Sequence, residues 1–254
     1  MNDIDAHSVL EIPWRIEIEL GSSGAYNMRR DEQLVDEVAS TTERVGVLRL
    51  YSWSPWAISL GHTQSDRSID REACTAGNID IVRRPTGGRA VFHANELTYA
   101  VVCKAERGMS IAAMHNQITR AIAAGLSSLG DSRLELTSPT ASTRESYKQS
   151  LPTNIACFAS TARYELTFEG RKVMGSAQRR YGDLMLQHGS IPLDESHQLL
   201  PKYLQLDVSA RVQLSQLLAD QTASLSRVFA RRITAEEAAE AIADQFADAM
   251  IESR

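Results

Sequence analysis

Cysteine is scarce in this chain. Only Cys74, Cys103 and Cys157 occur among 254 residues, an odd number without C-x-x-C spacing. That argues against a disulfide framework, and against a structural zinc site, as does the lack of a histidine pair at ligand spacing. Long apolar runs are missing too, none approaching the roughly 20 residues of a membrane span. The opening Met1-Asn-Asp-Ile-Asp-Ala-His7 has neither the basic stretch nor the hydrophobic stretch of a signal peptide. Basic charge is not in excess either: the net charge is -5, which argues against general nucleic-acid binding. There is no internal repeat and no linker-like segment. These absences lead us to expect one cytoplasmic domain over 1–254, with reduced thiols, no metal, no cofactor, and neither nucleic acid nor membrane as a partner.

What is present is an ordinary globular composition, 43% hydrophobic and 23% charged. Residues 14–20 alternate apolar and charged, the period of a half-buried strand. Asn27 is the expected cap of a helix to Val38, with Met28, Leu34, Val35 and Val38 inward. Residues 45–51 and 56–60 read as a strand pair separated at Ser54-Pro55, and 66–77 as a short helix. Residues 80–84 read as a strand that enters the turn Pro85-Thr-Gly-Gly88, with 89–93 returning and 98–103 a further strand. Cys103 lies in that last run and reads as a small buried hydrophobe.

Ser110 is the expected cap of a helix to Leu129, stopped by Gly130, with Ile111, Met114, Ile118, Ile122 and Leu126 on its apolar stripe. Residues 131–156 show little periodicity and read as a long loop. Residues 164–168 and 171–175 flank Glu169-Gly170 as a hairpin, and 184–193 form another strand. Thr234-Ala-Glu-Glu237 opens a C-terminal helix over about 234–252, with Ala238, Ala241, Ile242, Phe246 and Met250 inward. The fold class expected is a mixed α/β (α+β) domain, its sheets largely antiparallel and its helices flanking.

Two stretches carry chemistry. In Arg83-Arg-Pro-Thr-Gly-Gly-Arg89 the glycines let the backbone approach a ligand, and their N–H groups can bind an anion or carbonyl oxygen. Arg83, Arg84 and Arg89 add positive charge suited to phosphate. On the turn alone, a plain hairpin with solvated arginines stays equally open. The second stretch runs from Cys157 to Gly189 and holds a cysteine, a hairpin, Lys172 and His188. By position alone Lys172 is an ordinary surface charge.

Arg83-Arg-Pro-Thr-Gly-Gly-Arg-Ala-Val-Phe-His93, Gly170-Arg-Lys-Val-Met-Gly-Ser-Ala-Gln178 and Gln187-His-Gly-Ser-Ile191 closely resemble, in order, the signatures of the lipoate-protein ligase and octanoyltransferase family. Leu48-Arg-Leu-Tyr-Ser-Trp53 and Ile58-Ser-Leu-Gly61 are similar to its opening strands, so the resemblance covers roughly residues 14–195. It implies the biotin/lipoate protein ligase-like catalytic fold, with an acyl tunnel between the Gly-Gly loop and the lysine strand. It also implies that Lys172 contacts the acyl carbonyl, and that Arg84, Gly87, Gly88, Arg89, His93, Gly175 and His188 bind substrate.

Cys157 separates the branches. Ligases of the family activate the acid with ATP and need no cysteine, whereas octanoyltransferases carry the acyl group as a thioester. Cys157-Phe158 ahead of Tyr164-Glu-Leu resembles the octanoyltransferase type of glycine-cleavage-H-dependent lipoate assembly. The expected function is transfer of an octanoyl group from octanoyl-acyl carrier protein, through a Cys157 thioester, to a lysine of a lipoyl-domain protein. That acceptor is the glycine cleavage H protein or a dehydrogenase E2 lipoyl domain. Lys172 is the expected cation beside the thiolate and the candidate base, and the Gly87 and Gly88 N–H groups the oxyanion donors. An ATP-dependent lipoate ligase, an amidotransferase between lipoyl-domain proteins and a non-catalytic binding paralogue stay open. The last predicts a damaged lysine or Gly-Gly motif, and both are intact.

Overall fold

The computed structural model describes residues 12–105, 110–130, 133–137 and 165–252. Strand β1 (Trp14–Ser22) leads through the Ser23 cap into helix α1 (Gly24–Ser40), then β2 (Gly46–Trp53) and β3 (Ala57–Leu60). Helix α2 (Arg71–Ala76), capped by Asp70, precedes β4 (Asp80–Arg83), β5 (Val91–His93) and β6 (Glu96–Lys104). Helix α3 (Ile111–Ser127) follows, with Ser110 accepting from the Ala113 N–H. Then come β7 (Leu134–Thr137), β8 (Glu165–Phe168), β9 (Arg171–Lys172), β10 (Gly175–Tyr181) and β11 (Leu184–Pro192). A 3-10 helix (Glu195–Tyr203) and helices α4 (Val208–Gln221), α5 (Leu225–Phe229) and α6 (Ala235–Glu252) close the described chain.

The main sheet has the order β1-β2-β6-β11-β10, a second β4-β3-β5 and a third β7-β8-β9. Among the described strands, only β1 with β2 and β3 with β4 run parallel, so the mixed, largely antiparallel expectation holds. Side-chain alternation divides the main sheet into two faces. Leu48, Leu50, Leu97, Tyr99, Val101 and Met185 join Met114, Ile118, Ile122, Leu126, Ile242 and Phe246 of α3 and α6 in the largest apolar core. The opposite face carries Arg49, Tyr51, Trp53, Thr98, His188 and Ser190. It meets α1 and the second sheet, and the cleft described below opens there.

Four local expectations change. Residues 45–51 and 56–60 are strands but not partners. Both edges of β2 are occupied, by β1 and β6, so β3 starts the second sheet instead. For the same reason 80–84 and 89–93 are no hairpin: β3 lies between them. Ser23, not Asn27, caps α1, and Asn27 is buried with its side chain turned to Arg49. Within the expected loop 131–156, Leu134–Thr137 is a strand whose partner β8 lies some thirty residues away, too far for local periodicity to reveal. Residues 138–164, with Cys157, lie outside the described residues, as does the side chain of Met250.

Other expectations hold in part. Ile111 is exposed while the other four stripe residues of α3 are buried. The Glu169-Gly170 turn has φ of 51° and 74°, the conformation of a two-residue hairpin. Thr234 accepts from the Glu237 N–H, but the Glu237 carboxylate binds Arg231 rather than closing a reciprocal box. Burial pushes the Cys103 thiol up to about 12, as suits a core residue and not a nucleophile.

Candidate active site

The Pro85-Thr-Gly-Gly88 loop is built by the arginines that flank it. The Arg84 guanidinium is buried and donates to the carbonyls of Ser59, Gly87 and Arg89 at 2.7 to 2.9 Å. Arg83 donates to the carbonyls of Gly61, His62 and Gln64. From the main sheet Arg179 donates to the Pro85 carbonyl at 2.7 Å. A Cβ on Gly61 would fall 2.0 Å from the Gly88 carbonyl oxygen, so that strand end must be glycine for the loop to lie against it. Gly87 and Gly88 are exposed, and Gly88 has φ of 100°. The loop is therefore preorganised by protein donors before any ligand arrives.

Two histidines join the sheets. His188 on β11 lies 2.5 Å from the Thr86 hydroxyl through Nε2 and 3.1 Å from Asp31 through Nδ1. Asp31 also accepts from Arg49 and from the Tyr51 hydroxyl, both at 3.0 Å. Burial first, and nearby Arg84 charge after it, push His188 below the ordinary histidine value despite Asp31. The neutral ring then donates Nδ1–H to Asp31 and accepts at Nε2 from Thr86. His93 on β5 stacks on Trp53 at 4.0 Å, with Nε2 2.7 Å from the Ser59 hydroxyl and Nδ1 2.7 Å from Glu96.

Between these groups lies a cleft that is partly open to solvent. Tyr51, Trp53, Ser59, Arg84, His93, Thr98, Ser176, His188 and Ser190 contribute to its lining together with Met28 and Val91. Each of these polar side chains is hydrogen-bonded to another protein group. With those polar groups turned to protein partners, a lining rich in polar residues presents a largely apolar surface.

Of the residues singled out from the sequence, Arg84, His93, Gly175 and His188 line this cleft. Gly87, Gly88 and Arg89 lie on the loop beside it. Lys172 is buried on β9, three residues before Gly175, with its carbonyl accepting from the Ala223 N–H at 2.9 Å. The sequence reading missed Asp31, Arg49, Thr86 and Glu96. Two signals were available: Arg49 is a charge at an inward position of an apolar strand, and Asp31 an acid on the apolar stripe of α1, and such misfits mark buried pairs.

The histidines carry a stability prediction. His197, like His188, is held below its ordinary value chiefly by burial. Below about 6.5 the unfolded chain protonates both while the fold keeps them neutral, so this contribution is complete above that pH and lost as pH falls towards the folded values. The melting temperature is expected to drop between pH 7.5 and 5.5, and less so in His197→Gln. A variant with the same pH slope as wild type would remove His197 from the account.

Among the described residues no group of His, Cys, Asp and Glu could hold a metal, and no helix is long and apolar enough to cross a membrane. Residues 23–247 match the family model for the lipoyl protein ligase A/B catalytic domain. The chain is 35% identical over 240 residues to an octanoyltransferase LipM of an Exiguobacterium strain, covering 93% of this chain and 86% of the relative. It is 36% identical over 242 residues to the octanoyltransferase LipM of Kyrpidia tusciae, covering 93% and 87%. The fold is similar to that of a chain from a structural analysis of a bipartite lipoate protein ligase and its E2 lipoyl domain from Thermoplasma acidophilum. There the TM-score is 0.69 at 19% identity, over 94% of this chain and 84% of that one.

Proposed function

The chain belongs to the lipoyl protein ligase A/B catalytic domain family, and from that premise we propose that it is an octanoyltransferase of lipoate biosynthesis, moving a medium-chain acyl group onto a lysine of a lipoyl-domain protein. The observation that carries this reading is the cleft whose polar side chains are all paired with protein, leaving an apolar lining suited to a saturated chain. Relatives about 35% identical over most of their length bear the octanoyltransferase name. Arg84 donates to the backbone carbonyls of Gly87 and Arg89 at the loop, and Arg83 to those of Gly61, His62 and Gln64, a use that needs no nucleotide phosphate.

The donor in this reading is octanoyl-acyl carrier protein, and the acceptor the glycine cleavage H protein or an E2 lipoyl domain, all cytoplasmic. The Cys157 thiolate attacks the donor thioester carbonyl, a new C–S bond forms as the bond to the carrier sulfur breaks, and the carrier departs as the thiol with the proton that the Lys172 cation gives up. The acceptor amine then attacks the enzyme thioester, an amide forms as the C–S bond breaks, and Cys157 leaves as the thiolate. The now neutral Lys172 takes the one proton that the amine loses, which restores the starting thiolate and cation. The Gly87 and Gly88 N–H groups receive the oxyanion in both steps, while His93, His188, Arg84, Arg89 and Gly175 shape the substrate site.

Intact-protein mass spectrometry tests the route. Incubation with octanoyl-acyl carrier protein, without ATP, is expected to add one octanoyl group that hydroxylamine removes. If no adduct forms and transfer needs ATP and free acid, the ligase reading replaces this one. An adduct from an octanoylated lipoyl-domain protein, but none from the carrier, would make it an amidotransferase. Lys172→Gln is expected to lower transfer by about 10²- to 10⁴-fold, while unchanged single-turnover transfer would take Lys172 out of the chemistry.

A further inference from the structure

Glu96 belongs to no sequence signature discussed above and lies behind the cleft wall, yet it bonds to three of the side chains that line it. Only 2% of it is exposed. Its Oε1 accepts from the Thr98 hydroxyl at 2.5 Å and faces His93 Nδ1 at 2.7 Å, and its Oε2 accepts from the Ser190 hydroxyl at 2.5 Å. Thr98 in turn accepts the indole N–H of Trp53 at 2.7 Å, and Trp53 and His93 stack at 4.0 Å with 15° between planes. His93 Nε2 is left to accept from Ser59. One carboxylate thus anchors both rings of a stacked pair, each from a different sheet.

A buried carboxylate is a poor way to gain stability, because its desolvation offsets most of what its hydrogen bonds return. It is a good way to hold several donors in one arrangement. We infer that Glu96 is a positioning residue that locks the Trp53–His93 stack into a rigid wall of the cleft, and that this wall sets which acyl chains the enzyme accepts. The inference rests on the acyl-transfer reading. Held through Nδ1 by Glu96, the His93 ring keeps its plane nearly parallel to the indole. Without the anchor both rings can turn, the wall yields, and longer chains find room; apolar pockets discriminate chain length only as far as their walls resist.

The test measures kcat/KM with octanoyl- and dodecanoyl-acyl carrier protein for wild type, Glu96→Gln, Glu96→Ala, Trp53→Phe and Thr98→Val. The last cuts only the link between carboxylate and indole, should Glu96→Ala fold poorly. Glu96→Gln keeps acceptor and shape and is expected to retain the wild-type preference. Glu96→Ala and Thr98→Val are each expected to reduce the preference for the shorter donor about tenfold. Combining Glu96→Ala with Trp53→Phe should add little beyond either change alone. Equal losses on both donors, leaving the preference intact, would overturn the inference and leave Glu96 a structural residue, as would additive effects of Glu96→Ala and Trp53→Phe on the preference. Wild type inactive with both donors would instead overturn the acyl-transfer reading itself.

Discussion

Cys157→Ala is expected to abolish the octanoyl adduct and to lower transfer to the acceptor protein by at least about 10³-fold, the scale seen when a covalent nucleophile is removed. The two other cysteines cannot substitute. Cys103 is wholly buried, with its thiol pushed up to about 12. Cys74 is buried in the second sheet's core, with its thiol raised first by burial and then by Asp70. Neither is a competent thiolate near neutral pH. Folding should be untouched, so an unchanged melting temperature beside lost activity separates chemistry from stability. Cys157→Ser is the sharper probe. If an oxygen ester accumulates on it and turns over slowly, the nucleophile's position is confirmed and its leaving-group quality is what failed. If Cys157→Ala transfers at the wild-type rate, the thioester route is wrong, and the acceptor amine attacks the donor directly or an adenylate replaces it.

Asp31→Ala is expected to cost the fold about 3 to 5 kcal/mol, because it removes the carboxylate facing a fully buried guanidinium. Arg49 has no exposed side-chain surface, and Asp31 accepts from it, from Tyr51 and from the histidine opposite Thr86. Glu19 and Asn27 keep their bonds to Arg49, yet they approach other donors of the guanidinium, and Tyr51 and His188 have no second carboxylate to turn to among the bonds described. For a chain of this size the loss corresponds to about 10 °C in melting temperature. Arg49→Met combined with Asp31→Leu should recover much of it, since replacing both partners by apolar groups leaves no orphaned charge. An Asp31→Ala protein within a degree of wild type would show that water reaches Arg49. Where Asp31→Asn folds, it should still transfer more slowly: an amide can no longer select the Nδ1–H form of His188, and Thr86 loses its fixed acceptor at the Gly-Gly loop.

These two expectations differ in where they come from. Cys157 and Lys172 became candidates from residue order alone, because cysteine, hairpin turn and lysine fall within a short span whose pattern resembles a known family. Helices α1, α3 and α6 and most strands were legible too, since apolar residues at three- and four-residue or two-residue spacing bury one side of an element whatever surrounds it. The Asp31 network was not. Its members come from α1, β2 and β11, and residues so far apart in sequence share no period.

Strand partnership was equally hidden. The chain spells out that 45–51 and 56–60 are extended, but not that β1 and β6 claim both edges of β2 and leave β3 to open a second sheet. Nor does order say what an arginine is for. From the sequence, Arg83 and Arg84 suggest a phosphate site, whereas in the fold both are engaged by backbone carbonyls, Arg83 by those just after β3 and Arg84 by those of the Gly-Gly loop, brought within reach only once three strands have paired. The sequence by itself determined the family and the identity of most elements, and it singled out the candidate nucleophile, because those depend on local pattern and residue type. The tertiary structure decided the apolar character of a cleft lined with polar residues and the roles of Asp31 and Glu96, because each depends on which distant donor meets which buried acceptor, and that pairing exists only after the sheets have closed around it.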